Sequence, residues 1–417
     1  MLRRNAHPNA AGGPTGSDPL VTDASVSRPP ASGSLPIAPS PAVSPATTPM
    51  DWDAIVVGAS FAGLAAAQEL GPAARVLLID RHPVGQQQTS ACATPLAVLE
   101  RLDALESVEQ VHEWFSIHLP GGRVLRLRLH YPFATFDYGR FCALLLARTE
   151  AHFLLASARG IDGGRVVTDR GVFQARVVID ASGAHAVLAS SLRRGYVSLR
   201  GRGVGIECRV PSVGDDLHFW LHHDGLRRGY HWDFPSGDHR RVGVGRFPAG
   251  GEIKGLLQRF TGRPVRASDL HGGILPYRLR EPAVDGLLVV GDAAGQCLPL
   301  GGEGIRTALV LGQVAGRLSR DVLDGRLALG TAQALYRRQV RAMRPYFATL
   351  TAIQWVMAVA PDAVLSAIMA IACGRWLSVL AQRKYWDVAD PTHLRSGPSR
   401  GSLGSPVGSS RTLSRMV

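Results

Sequence analysis

Lysine is almost absent from this chain of 417 residues: Lys254 and Lys384 are the only two among 46 basic side chains. The formal charge of +13 is therefore carried by arginine. Arg3, Arg4 and Arg28 outnumber Asp18 and Asp23 in residues 1–49, and residues 393–417 hold four arginines and no acid, so the two tails supply five of the thirteen charges. The remainder reads as a solvated surface, or as attraction to anionic lipid or an acidic electron donor. No basic helix or aromatic RNA-binding motif is present, which excludes nucleic acid as the expected partner. The five cysteines (Cys92, Cys142, Cys208, Cys297, Cys373) are scattered and form no CxxC pair. That excludes a disulfide frame or zinc site and points to reduced thiols in a cytoplasm. His218 and His222 lie in a segment read as strand, where a spacing of four does not converge on a metal.

Long apolar runs are missing as well. Tyr346–Ala360 and Ala363–Gly374 lack charge, but each is shorter than the ~20 residues a bilayer span needs. Their length favours core helices over a hairpin lying in one leaflet. Residues 1–49 are rich in Pro, Ala, Ser and Gly without apolar periodicity, so they read as a disordered tail, and residues 393–417 read as a second. Arg3-Arg4 is not followed by the apolar core of an export signal. Met50, directly before the first strand, is a candidate start.

What is present between the tails is an α/β pattern. Ala54–Val57 is a short apolar strand, Phe61–Leu70 a helix and Val76–Asp80 the next strand; Val177–Asp180 and Leu287–Val290 are strands of the same buried type. The first strand runs into Gly58-Ala59-Ser60-Phe61-Ala62-Gly63. Gly58 suits the tight turn, Gly63 the close packing of helix on strand, and the helix N-terminus offers free N–H groups to a pyrophosphate. Ser60 stands where the usual G-x-G-x-x-G has its second glycine. Asp80 ends the second strand 22 residues after Gly58, where an acid hydrogen-bonds ribose hydroxyls, and Arg81 beside it can reach phosphate or adenine.

A second glycine-rich stretch runs from Gly291-Asp292 through Pro299, Gly302 and Gly304 into a helix beginning at Ile305. Asp292 would meet a ribityl hydroxyl, and the helix N-terminus would face the flavin ring edge that gains negative charge on reduction. Gly183 closes the loop after the third strand. Halves lying 234 residues apart suit a long two-ended cofactor, and FAD fits. Residues 197–284 differ, with short alternating segments between glycines and prolines. The chain is thus a Rossmann-type FAD-binding domain (50–196 and 285–330) with an inserted antiparallel β-sheet substrate domain (197–284) and C-terminal helices (331–392).

With these pieces in place the chain resembles the geranylgeranyl reductase family, among the p-hydroxybenzoate-hydroxylase-like flavoproteins. The two glycine segments carry the match, together with Tyr230-His231-Trp232-Asp233-Phe234-Pro235, which fits the family's Tyr-x-Trp-x-Phe-Pro signature, and Gly272-Gly273-Ile274-Leu275-Pro276. The resemblance implies hydride transfer from reduced FAD to isoprenoid double bonds, with Tyr230, Trp232, Phe234 and Pro235 lining the substrate. On a strand, Tyr230, Trp232 and Phe234 share one face and can wall an apolar tunnel. It also implies a cysteine near the flavin, for which Cys92 is the candidate, although the glycine-rich context usual there is missing. Tyr138 and Cys142 replace the Arg and Asp of the family's Arg-x-x-Phe-Asp, leaving Arg140 as the substitute cofactor contact. Cys92, Tyr230 and His231, in that order, are the candidate proton donors. No second G-x-G-x-x-G exists for a nicotinamide, so electrons come from transient NAD(P)H, a quinol or ferredoxin. Peripheral contact with a membrane's inner face follows from a lipid substrate. The alternative on the same fold is a flavin monooxygenase; a halogenase would be expected to hold a lysine between flavin and substrate, and Lys254 and Lys384 are poorly placed for that.

Overall fold

The computed structural model describes residues 51–395. The expected tails at 1–49 and beyond Arg395, and Met50, lie outside the described residues. Two sheets organise the rest. In the first, strands β1 (Asp51–Val57), β2 (Val76–Asp80), β6 (His152–Leu155), β9 (Gly171–Asp180) and β16 (Leu287–Val289) run parallel in the order β16-β9-β1-β2-β6. A two-residue strand, β15 (Ala283–Val284), closes one edge antiparallel, and the hairpin β7 (Ala158–Asp162) and β8 (Arg165–Thr168) extends β9. Alternate residues divide between the two faces, as the pleat requires. Ala54, Val56, Leu78 and Ile179 pack under helices α1 (Phe61–Leu70), α3 (Tyr138–Leu146) and α6 (Ile305–Leu323). Ile55, Val57, Leu77 and Val289 pack on the β7–β8 side with helix α4 (Val187–Leu192).

The second sheet has the order β14-β10-β13-β12-β11-β4-β5-β3. Its strands β10 (Arg202–Pro211), β11 (Leu217–Leu221), β12 (Gly229–Ser236), β13 (His239–Arg246) and β14 (Leu270–Pro276), with helix α5 (Ile253–Thr261), come from the segment expected to form it. Three more do not: β3 (Ala93–Pro95), β4 (Val108–His118) and β5 (Val124–Phe136) lie upstream, beside the short helix α2 (Leu96–Arg101). The inserted sheet is therefore not confined to 197–284. The reason is visible in residues 125–129, where Leu125, Leu127 and Leu129 alternate with Arg126 and Arg128 at the period of a half-buried strand, after a Pro-Gly-Gly turn. β4 joins β11 in parallel and so welds the two blocks of sequence into one sheet.

Helices α7 (Leu329–Ala342), α8 (Arg344–Val359), α9 (Asp362–Ala372) and α10 (Arg375–Asp387) complete the fold. The expectation of core helices for the two uncharged runs fails. α8 buries Phe347 and α9 buries Leu365, whereas Ile353, Trp355, Val359, Ile371, Trp376 and Leu380 are exposed, Trp376 to 84%. Among the described residues no single helix is long and apolar enough to cross a membrane. Residues 393–395 are ordered against α6 rather than part of a tail: Leu394 is buried and the Arg395 N–H donates to Gln313 at 3.1 Å.

Candidate functional site

The first cofactor loop is set by backbone contact. Gly58 has φ +110°, and a β-carbon there would lie 2.1 Å from the Ala181 carbonyl oxygen; one on Gly63 would lie 1.7 Å from the Gly58 oxygen. Only glycine lets strand and helix meet this closely. Ser60 stands at the N-cap position of α1 without capping it through its side chain, and its Oγ accepts from the Tyr138 hydroxyl at 2.9 Å. Asp80 accepts the Ala59 N–H at 2.7 Å and the His82 N–H at 2.9 Å, so its carboxylate fixes the turn that it flanks. Arg81 is exposed. Arg140 pairs with Glu106 at 2.8 Å on the surface.

The second loop packs onto the first. A β-carbon on Gly291 would sit 2.9 Å from the Ala62 side chain, and those on Gly312 and Gly316 of α6 would lie 2.4 Å from the carbonyls of Ala62 and Ala66. Gln296 ties the turn by accepting the Gly291 N–H at 2.7 Å. Glu303 accepts the Arg306 N–H at 2.9 Å and pairs with its guanidinium at 3.2 Å, so it caps α6. Arg306, fully buried, also donates to the Tyr385 and Ala389 carbonyls and lies 4.1 Å over the Tyr385 ring, which pins the end of α10 to this helix. Two residues that the sequence did not single out join the loops. Arg280 donates to the Ala184 and Ala293 carbonyls at 3.1 and 3.0 Å. Buried Asp180 accepts from Ser182 and from the Ala189 N–H at 2.8 Å, holding the turn that contains Gly183.

Asp292 is the test of fit for a cofactor. Its carboxylate takes no hydrogen bond from any described residue, and burial pushes it up to about 6 against the opposing charge of Arg280. An acceptor in that state suits a ligand hydroxyl. Gly304 has no side chain to cap α6 and Glu303 takes only the Arg306 N–H, so the neighbouring first-turn N–H groups beside Pro299–Ile305 face the loop. These features, with Gly58, Gly63 and Asp80, fit a flavin dinucleotide.

The aromatic wall stands against that loop. Tyr230 donates its hydroxyl to the Gly301 carbonyl at 2.5 Å, and Gly302 would place a β-carbon 3.2–3.4 Å from Leu275, Phe247 and Tyr230. Ring centroids of Tyr230 and Trp232 lie 5.9 Å apart, Trp232 and Phe234 6.3 Å, and Phe219 closes on Phe234 at 5.2 Å. Leu217, Phe115, Phe133 and Leu129 join the same cluster, Phe133 and Leu129 from the upstream strand β5. His231 and Asp233 face the other way. His231 packs 4.5 Å from Phe260, and Asp233 pairs with Arg240 at 2.5 Å. His231 is therefore withdrawn as a proton donor, since strand alternation puts it behind the wall. Pro235 alternates to that far side too, within 2.9 Å of where a Gly214 β-carbon would be, so it does not line the wall.

Cys92 is wholly buried in left-handed backbone (φ +51°), and its thiol donates to the Ser90 carbonyl at 3.4 Å. Burial pushes the thiol up to about 12, opposed by the charge of Arg241. That arginine opens a group the sequence analysis missed. Arg241, fully buried, donates to Glu109 at 3.1 Å and to the Phe136 carbonyl at 3.1 Å, and lies 3.7 Å from Glu207. Glu207 accepts the Trp232 indole N–H at 3.2 Å and the Gln88 amide at 3.2 Å. Charges at inward-facing positions of otherwise apolar strands were the available signal.

Comparison with known proteins now has a site to address. No protein-family profile matches the chain. It is 28% identical over 323 residues to digeranylgeranylglycerophospholipid reductase 2 of Methanopyrus kandleri, covering 66% of this chain and 78% of that protein. It is 29% identical over 328 residues to the menaquinone reductase of Mycobacterium tuberculosis, covering 66% and 77%. In structure it is similar to a geranylgeranyl bacteriochlorophyll reductase-like protein from Thermoplasma acidophilum, with TM-score 0.71 at 19% identity, over 82% of this chain and 97% of that one.

Proposed function

We propose that the chain, a family-level match to the geranylgeranyl-reductase-like flavoproteins, is an FAD-dependent oxidoreductase that reduces isoprenoid carbon–carbon double bonds. The observation that carries the reading is the junction of the aromatic wall with the second cofactor loop, through the Tyr230 hydroxyl and the Gly301 carbonyl. That contact sets an apolar surface of Tyr230, Trp232, Phe234 and Phe219 directly beside the loop that would hold the flavin ring. Bound FAD supplies the hydride. Everything else falls to the chain's own residues.

Gly58, Gly63 and the N-terminus of α1 would hold the pyrophosphate, with Ala62 at the helix–helix contact. Asp80 would hold the adenosine ribose, and Asp292 with Gly302 and Gly304 the ribityl and ring end. The wall orients a prenyl chain and excludes water, which concentrates a weak hydride acceptor against its donor. Cys92 and Tyr230 both keep their protons at neutral pH, because burial raises both. Tyr230 stands in the wall and Cys92 lies between Ala91 and Ala93, which pack against it, so either can hold a proton for the second carbon. The electron donor, whether NAD(P)H, quinol or ferredoxin, would reach the flavin transiently. The exposed face of α8–α10, with Trp355 and Trp376, suits peripheral contact with the lipid surface that carries the substrate.

The test is anaerobic. Reduced holoprotein mixed with a geranylgeranyl lipid should be reoxidised, and the saturated chain of the same length should do nothing. Trp232→Ala should keep its flavin and lose the reaction. No lipid-dependent reoxidation without oxygen, together with oxygen inserted into the lipid when the same mixture is run in air, would replace the reductase reading by a monooxygenase.

A further inference from the structure

Beneath the wall lies a charged cluster that packing alone does not call for. Glu207 is 2% exposed and Arg241 not at all. Taking such charges out of water is costly, and well-packed apolar residues commonly serve stability as well or better. The cluster is also incompletely satisfied, since Arg241 Nη1 has no hydrogen-bond partner. Its contacts run to function rather than to the core. One oxygen of Glu207 takes the indole N–H of Trp232, the other takes Gln88 from the segment that leads to Cys92. Cys92 itself is held in left-handed backbone within reach of the same charges. A non-glycine residue in that conformation is strained and persists where its surroundings impose it.

Arg241 lies between two carboxylates, Glu207 and Glu109, and Arg209 adds a second positive charge on the strand of Glu207. The groups facing Glu207 from the elements around it are Arg241 on β13, Arg209 on its own strand, Cys92 in the 88–92 segment, and His271, directly opposite in register on β14. Burial, with Arg209 and Arg241, holds His271 below its ordinary value, and its Nδ1 has no partner. Desolvation is the largest influence on Glu207 and lifts it to about 7, with Arg241 pulling the other way.

We propose that Glu207, balanced by Arg241, stores the proton consumed in double-bond reduction and returns it to the wall through the Cys92 thiol. The proposal rests on the reductase reading above. The π bond breaks and two C–H bonds form. One takes the hydride, which carries both electrons from the reduced cofactor, and the other takes the proton of the Cys92 S–H. The thiolate left beside Arg241 takes the Glu207 carboxyl proton, and water reprotonates the carboxylate before the next turnover.

Two measurements test it. Infrared spectroscopy of protein carrying carbon-13 glutamate should show a protonated carboxyl that disappears with a midpoint near neutral pH, and that is missing in Glu207→Gln. No such group in the wild-type protein between pH 5 and 8 overturns the proposal, whether or not the variant folds. The rate of lipid-dependent reoxidation should fall about tenfold per pH unit above that midpoint. Glu207→Gln should be slower and lose this limb with its flavin content intact. A variant that reacts with the wild-type rate and profile refutes the proposal alone. A wild-type protein that shows no lipid-dependent reoxidation refutes the reductase reading, and the proposal with it.

Discussion

The most discriminating single substitution is Gly243→Ala, because one methyl group tests the geometry of the wall. A β-carbon on Gly243 would sit 2.2 Å from Cε2 and Cζ2 of Trp232 and 2.8 Å from the Ile206 carbonyl. To reach an ordinary contact of 3.4 Å the indole must shift by about 1.2 Å. Its N–H bond to Glu207, already 3.2 Å long, does not survive that movement. Overpacking costs roughly 1–3 kcal/mol, and losing a buried hydrogen bond to an acidic group about 1.5–3 more. A total near 4 kcal/mol lowers Tm by roughly 6 °C, at an unfolding entropy of about 2.1 cal/mol/K per residue. The control lies on the same ring. A β-carbon on Gly205 would meet Leu275 and Trp232 at 3.4 and 3.5 Å, which is ordinary packing. Gly205→Ala should leave Tm within about 1 °C of wild type. Thermal denaturation of the three holoproteins and lipid-dependent reoxidation read the effect together, with Gly243→Ala flavin-bound but inactive. If Gly243→Ala matches Gly205→Ala in both assays, the placement of Trp232 is wrong.

Gly63→Ala should abolish flavin retention on a desalting column, since its β-carbon would lie 1.7 Å from the Gly58 carbonyl oxygen; a yellow variant would refute the loop contact. Glu207 gives stability a pH signature. Its folded value of about 7 exceeds the free value of 4.5, so the native state binds the extra proton and stability falls as pH rises from about 4.5 to 7. The shift corresponds to about 3 kcal/mol. His231, lowered from 6.5 to about 4, acts in the opposite sense, costing stability as pH falls from 6.5 towards 4. The Glu207 contribution is therefore read as the difference between wild type and Glu207→Gln across pH 4.5–7, and equal slopes would refute it. Replacing Trp355 and Trp376 by Ser should reduce co-sedimentation with anionic vesicles while leaving Tm unchanged; unchanged sedimentation would remove α8–α10 as the lipid contact.

The cofactor half of the fold was legible because its constraints are local. Strand, tight turn and helix N-terminus occupy Val57–Gly63, and Asp80 follows at the distance that a second strand dictates. The second loop was legible for the same reason, from Gly291 to Ile305. The wall needed only strand alternation to put Tyr230, Trp232 and Phe234 on one face, and that same rule should have excluded His231 and Pro235. What escaped depends on contacts between distant segments. Arg241 meets Glu109 across 132 residues, and Arg280 joins turns that it adjoins only in space. Glu207 looks like any polar residue in a strand until the register with Gly243 and His271 turns it inward. The hairpin at 108–136 had its own alternating pattern, but nothing local says which sheet it joins. The C-terminal helices are the opposite case. Runs too short for a bilayer span favoured burial, yet Ile353, Trp355 and Ile371 are exposed.

The central claim is tested most directly by mass spectrometry of the polyprenyl lipids and quinones of a host expressing the protein. The account predicts a gain of two hydrogens for each double bond reduced, lost in Trp232→Ala. Lipids that gain an oxygen instead, or that stay unchanged while the protein carries its flavin, would contradict it.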